Sequence, residues 1–354
     1  MEPQQIDQQS TFKLPLQLHY EGMGIEFVES DGWLLPKLFQ DVGTEADLLE
    51  RGEALVDFSD HGMLRMIGSE SVGLLHRIST NDFSRFEPGN LLQTSLLTEK
   101  GRVVDSILVL HRGDQLLLFV SKGATQRVQQ WIEKFIIMED VRILHEREGV
   151  VLLVRFLSQN DGGKSAGSQY PGFIGRAKYF GQDALLFLYQ SPKEALSFLD
   201  STTHKLVGWD AYEYFRIMRG IPEYGREIVP DFNPLELGLW DQVSSTKGCY
   251  IGQEVIARLD TYKKIQRSLC TVLGNLSLQV GSVGGVMSGG SEVGRITSAC
   301  PDLRDTRQSV GLALVRQEHA IPGAELPSED ARATVTIVMV HDKRRVLAPG
   351  EGSD

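Results

Sequence analysis

The spacing of apolar residues changes character once along the chain, and that change constrains the fold more than any other feature. Up to Arg258 strand-like runs alternate with stretches at helical spacing; after it only short strand-like runs remain, at 268–273, 291–298, 310–315 and 333–340, with glycine-rich turns such as 281–290 between them. Short strands at close intervals read as an all-β unit, here a small barrel. Before the change, runs at 64–67, 93–97, 103–110, 116–120 and 141–144 read as strands. Helical spacing covers 72–78, with Ser69 as N-cap, and a stretch led by Ser121 that sets Ala124, Val128, Trp131, Ile132 and Phe135 on one face. This order is close to the split βαβ arrangement, an antiparallel sheet with helices on one face, plus one strand.

A second mixed region follows, with strands at 150–157, 184–189 and 205–207 and a helix 209–219 ended by Gly220. Its other helix opens at Ser191-Pro192-Lys193-Glu194, where serine at the cap, proline at the first helical position and glutamate three residues on make a capping box. The first 50 residues read as a loosely structured arm packing on a later unit. The polar opening 1–9, a Gly/Ser-rich loop at 158–172 expected to be mobile and a tail after 343 expected to fray complete the pattern.

The change of character falls on the chemically densest stretch, Lys247-Gly248-Cys249-Tyr250-Ile251-Gly252-Gln253-Glu254, which runs into helical spacing over 252–259. Glycines beside a cysteine let the backbone bend and a ligand approach, while a lysine and a helix N-terminus each favour thiolate over thiol. Read plainly, Cys249 is a buried structural thiol and the glycines are turn residues; read chemically, it is an activated nucleophile tuned by Lys247. A second candidate is Asp105, a carboxylate early in an apolar strand, which either satisfies backbone donors or faces a pocket with a perturbed pKa. Thr80-Asn81-Asp82 reads as a helix C-terminal cap and turn.

Composition excludes several classes. With 36 Lys plus Arg against 47 Asp plus Glu, the net charge of -11 weighs against DNA binding and against tRNA contact, although a local basic patch stays open. No apolar run reaches the roughly 18–20 residues that span a bilayer, so no membrane association is expected. Cys249, Cys270 and Cys300 are an odd number without a Cys-x-x-Cys pair, which suits a reducing cytoplasm and cannot supply four ligands to a cluster. No dinucleotide-binding glycine motif, phosphate-binding loop or zinc-protease motif occurs, and the eight histidines lack metal-ligand spacing, so no metal site is expected.

The octet, with Ala257-Arg258 after it, resembles the hallmark of the YgfZ proteins, relatives of the glycine cleavage T-protein that include a mitochondrial iron–sulfur assembly factor. Val56-Asp57-Phe58-Ser59-Asp60-His61-Gly62, Thr80-Asn81-Asp82, residues 101–105 and 216–222, Pro234-Leu235-Glu236 and Gly294-Arg295-Ile296-Thr297-Ser298 agree, so the resemblance spans roughly 48–340. It implies an α+β fold, a T-protein-like three-domain ring around a central cavity. The corresponding division is an arm at 1–50 on the second domain, α+β domains at 51–148 and 149–262, a β-barrel at 263–345 and a tail at 346–354.

The resemblance implies tetrahydrofolate as cofactor and a folate-binding accessory role in iron–sulfur cluster assembly or repair, with assembly proteins or cluster enzymes as partners and an effect on tRNA modification. The alternative is a tetrahydrofolate-dependent aminomethyltransferase or other one-carbon transferase. Cys249 and Asp105 are the catalytic candidates, and Asn81, Asp82, Asp105, Lys247, Gly248, Tyr250, Gly252, Gln253, Glu254 and Arg258 the candidates for holding folate. One departure stands out: Met218 occupies the place where the transferases' Arg-Leu-Glu-Ala-Gly motif carries a pterin-reading glutamate, and methionine cannot accept a pair of N–H bonds.

Overall fold

A computed structural model of the chain describes residues 11–146, 149–158, 170–280, 285–305, 307–329 and 333–342. The polar opening, most of the 158–172 loop, part of the 281–290 turn and the whole of the tail lie outside these residues. Three larger sheets and one small one carry the fold, which is α+β.

The first five-stranded sheet runs Leu91–Leu97, Val103–Arg112, Gln115–Val120, Gly62–Ile67, Arg142–His145 in spatial order, antiparallel throughout. Its strands alternate as a sheet with two covered faces requires. One face, with Leu64, Met66, Ile107, Val109 and Leu118, packs on helices Ser71–Ile78 and Thr125–Glu133 through Leu74, Leu75, Ile78, Val128 and Ile132. The first of these helices starts later than its sequence suggests. Ser69 does not cap it; its hydroxyl and amide donate instead to Asp140 at 2.8 and 3.1 Å, a partner 71 residues away that local spacing cannot reveal.

The second sheet, in the order Phe173–Tyr179, Gln182–Tyr189, Val151–Phe156, Ala54–Asp57, Lys205–Val207, closes with one parallel pair. Strand Ala54–Asp57 lies inside the 51–148 stretch, yet it pairs here, with Val56 opposite Val154. Half of the capping box forms as read: Ser191 caps the helix and accepts from Glu194 N, but the Glu194 carboxylate reaches one residue further back than the box requires and accepts from Gln190 N at 3.1 Å rather than from Ser191 N. The arm is more ordered than its glycines suggest. It holds strands Phe12–Lys13, Phe27–Ser30 and Trp33–Pro36 as a small sheet, with helices Gln17–Gly22 and Val42–Arg51, and Leu14, Leu16, Tyr20 and Leu35 bury against Leu153, Leu185 and Phe187 of the second sheet. Strands of two to four residues give too few alternations to be read from sequence.

The third sheet has six strands in the order Gly285–Ser288, Ser291–Pro301, Ser309–Arg316, Arg267–Gly274, Thr334–Val340, Glu325–Pro327. A bridge between Val286 and Ser328 ties its two edges, so it is a nearly closed barrel around Cys270, Val272, Ile296, Ala313 and Val335. Its outer face presents Leu269, Leu312 and Leu314 to a core shared with both other sheets and with helix Trp209–Arg219, where Leu108 and Phe119 of the first sheet meet Val154 and Phe156 of the second. Each such fully buried side chain contributes about 1.5–3 kcal/mol, so this shared core holds the three units together.

Candidate functional site

The residues where these units meet enclose a cleft of about 670 Å³, its open mouth included. Its floor is the crossover that leaves strand Ala54–Asp57 of the second sheet and enters Gly62–Ile67 of the first. The start of helix Trp209–Arg219 forms one side, and Ser121 and Lys122, just past the end of strand Gln115–Val120, form the other. The helix can begin there because residue 208 is glycine: a Cβ on Gly208 would lie 2.2 Å from the Lys37 carbonyl oxygen of the arm.

Flat rings line the slot. Phe58 lies 5.2 Å from Tyr212 and 5.6 Å from Tyr179, and Trp209 lies 5.9 Å from Tyr212, centroid to centroid. His61 stacks on Phe58 at 4.6 Å, with Nδ1 2.9 Å from Asp60 and Nε2 3.1 Å from the Tyr179 hydroxyl. Burial would raise the Asp60 carboxyl, but His61 and Lys122 more than offset it and hold the group below its ordinary value. Asp60 is therefore ionised and accepts, which assigns the proton to Nδ1 of His61. Lys122 is almost fully buried, with Nζ 2.9 Å from Ser30 Oγ, 3.3 Å from Glu223 Oε1 and 4.6 Å from the Trp209 ring centre.

Behind Glu223 lies a buried ionic cluster. Arg216, 1% exposed, donates to Glu213 twice at 2.6 Å and to Ser298 Oγ at 2.8 Å, and stands 3.5 Å from Glu227. Burial works against the guanidinium's charge, and the surrounding glutamates outweigh it and push its pKa up. Burial pushes the Glu223 carboxyl up. One of its oxygens, Oε2, is in ion-pair range of Arg216 and Arg226 at 3.2 and 3.4 Å but accepts no hydrogen bond. A buried acceptor left in this state on a cleft wall is the group a ligand N–H would satisfy.

Asp105 sits one layer behind this wall. A bulge, where Leu96 pairs with Asp105 but Leu97 with Val103, turns the side chain, and the carboxylate accepts from Ser106 N at 2.8 Å, Ser121 N at 3.0 Å and Ser121 Oγ at 2.6 Å. Of the two readings open from sequence, satisfaction of backbone donors is the one realised; Ser121, not Asp105, reaches the cleft. Burial pushes its carboxyl up to about 6 against the effect of these donors. Unfolded aspartate titrates near 3.9, so the folded chain keeps this proton longer. The stability that protonation brings is complete below about pH 4 and is lost as pH rises through 6, an effect of roughly 3 kcal/mol for a two-unit shift. Asp105→Asn should remove that dependence, which urea unfolding midpoints between pH 4 and 7 would register as a flatter profile.

None of the octet residues lines the cleft. Lys247 is buried and donates all three ammonium protons to backbone carbonyls, those of His76, Ser79 (2.8 Å) and Asn81 (2.7 Å), and burial pushes its pKa down to about 8. It thus clamps the octet to the end of helix Ser71–Ile78. Asn81 is held in the same turn, its amide donating to Gln93 O at 2.7 Å and Asp241 O at 3.0 Å, and Asp82 accepts from Ser84 N at 2.8 Å. Tyr250 is buried in the shared core.

Gly252 takes φ +81° and abuts the 98–101 turn, where a Cβ would lie 2.7 Å from Thr98 O. It caps helix Gln253–Thr261; Gln253 is half-buried, and Glu254 and Arg258 form an exposed pair at 3.4 Å. Gly248 and Cys249 are exposed. The structure therefore brings Lys247 together with Asn81 and Asp82, and leaves both Asp105 and Cys249 outside the cleft. Met218 is also elsewhere: it lines a separate groove with Tyr214, Arg219 and His341, and Glu223 is the carboxylate at the cleft.

The cleft residues Trp209, Lys122, Tyr179 and Glu223 were not singled out from sequence. The one available signal is position, since Lys122 follows directly on an apolar strand run and Glu223 on the Gly220-Ile221-Pro222 stop.

Residues 17–153 match the GCVT N-terminal domain family. Over 95% of its length, and 95% of the relative's, the chain is 26% identical to an aminomethyltransferase of Halalkalibacterium halodurans. It is 28% identical to a protein named as a chloroplastic transferase of Arabidopsis thaliana, across 71% of this chain and 63% of that protein. The crystal structure of the glycine cleavage system aminomethyltransferase T from Bartonella henselae superposes with a TM-score of 0.74 at 18% identity, covering 93% of this chain and 97% of that one. The fold is therefore the T-protein fold. No helix among the described residues is long and apolar enough to cross a membrane.

Proposed function

We propose that the chain binds a tetrahydrofolate in the cleft. The observation that carries this reading is the buried, donor-less Oε2 of Glu223 on the wall of an aromatic slot. A pterin is flat and presents N–H donors along one edge, so Phe58, Tyr179, Tyr212 and Trp209 offer faces to its ring and Glu223 an acceptor to its edge. Tetrahydrofolate supplies the nitrogens that carry a one-carbon unit. Lys122 and the Asp60–His61 pair fix the charge and the proton position beside it.

The exposed position of Cys249, apart from the cleft, favours the accessory reading in iron–sulfur assembly or repair, because a surface thiol meets a partner protein without disturbing bound folate. The full-length likeness to an aminomethyltransferase favours the one-carbon transferase reading.

Titration of tetrahydrofolate against the intact chain tests the cleft. Glu223→Gln should weaken binding about tenfold or more, as expected when a charge-assisted hydrogen bond is lost, and Cys249→Ala should leave it unchanged. Equal affinity in the Glu223→Gln chain would remove the cleft reading. Methylene-tetrahydrofolate formation lost in Asp105→Asn would select the transferase reading.

A further inference from the structure

The groove where the barrel meets the first sheet is basic in a chain of net charge -11. About 950 Å³ of space, open to solvent, is lined by four guanidiniums, those of Arg102, Arg267, Arg295 and Arg316, against two carboxylates, Asp231 and Glu292. A third, Glu236, lies buried behind the wall, 3.6 Å from Arg102.

Strand register makes this more than a local excess. Arg267 and Arg316 are directly opposed on neighbouring antiparallel strands, and Arg295 is opposite Leu314 on the next strand, so all three point to one face. Like charges at a cross-strand separation of about 5 Å repel and destabilise the sheet unless something lies between them. Arg295 is paired with Glu292 at 3.1 Å, and the buried Glu236 carboxylate accepts from the Arg267 backbone N–H and offsets part of its charge, but among the described residues neither the Arg267 nor the Arg316 guanidinium forms a side-chain ion pair. Two guanidiniums are also held in place: Arg102 donates to Asp231 O at 2.7 Å, and Arg267 lies over the Phe232 ring at 5.8 Å.

We propose that this groove binds the phosphate group of a small phosphorylated ligand, seated between Arg267 and Arg316. Guanidinium forks match the oxygens of a phosphate, and a dianion there replaces repulsion with two charge-assisted contacts. A long nucleic-acid backbone suits the groove less well, because the rest of the surface is acidic and repels it. No groove residue lines the aromatic cleft, so the proposal stands apart from folate binding.

Calorimetric titration of the intact chain with pyrophosphate, and separately with a short single-stranded oligonucleotide, tests it. Pyrophosphate should bind and raise the thermal midpoint, and Arg316→Gln should weaken binding about tenfold or more. Without ligand, Arg316→Gln should unfold at the same temperature as the parent or higher, because it relieves the opposed charges. Absence of pyrophosphate binding, binding indifferent to Arg316→Gln, a lower midpoint of that variant without ligand, or binding of the oligonucleotide alone would each overturn the proposal.

Discussion

Arg216→Met should destabilise the chain by about 3–5 kcal/mol at neutral pH, the cost expected when one partner of a buried ion cluster is removed and the others stay charged. Glu213 is held low by Arg216 and Arg226 despite its burial, and Glu227 is fully buried with Ser298 and the Glu223 amide on its oxygens. Without the guanidinium these carboxyls must either remain as uncompensated anions or take up protons. The deficit should therefore shrink as pH falls toward 5 and the glutamates become neutral. Equilibrium urea unfolding of parent and variant at pH 7.5 and 5.5 reads both effects. A loss below about 1 kcal/mol at pH 7.5, the scale of an exposed pair, would show that the cluster is solvated.

Lys247→Met should cost about 3 kcal/mol, because three backbone carbonyls lose their donor together and each buried carbonyl left unmatched costs about 1 kcal/mol or more. Methionine keeps the length and apolar stem of the side chain, so the loss reports on the ammonium. Hydrogen exchange should quicken first at the end of helix Ser71–Ile78, where the His76 and Ser79 carbonyls lie. Folate affinity should be unchanged, since Lys247 does not line the cleft. If affinity falls while stability holds, Lys247 works on the ligand and the clamp is wrong.

Much of the architecture was legible in the sequence because it is written in local periods. The apolar run in 103–110, the helical spacing of Val128, Trp131 and Ile132, the Ser191 cap and the glycine stop at 220 each act over a few residues, and each appears where its spacing places it. The cleft was not legible. Its lining comes from six separated stretches, near 35, 58, 121, 179, 208 and 222, most contributing two to four residues. Adjacency of that kind is created by sheet order, which no local period encodes. The place of the octet depends on tertiary structure in the same way: Lys247 joins it to the 79–81 turn and Gly252 to the 98–101 turn, while Cys249 stays exposed. Likewise Met218 looked like a lost ligand contact, whereas Glu223, five residues on, holds the carboxylate at the cleft.

Strand Ala54–Asp57 has a consequence for how the chain is made. On the ribosome it emerges early, but its partners, Val151–Phe156 and Lys205–Val207, emerge much later. The first sheet, by contrast, is complete once His145 has appeared. Synthesis therefore passes through a stage in which one sheet can form while Leu55 and Val56, both destined for the interior, wait unpaired beside it. The aromatic slot, floored by the residues that follow this strand, is therefore completed only once the chain has emerged as far as Tyr224.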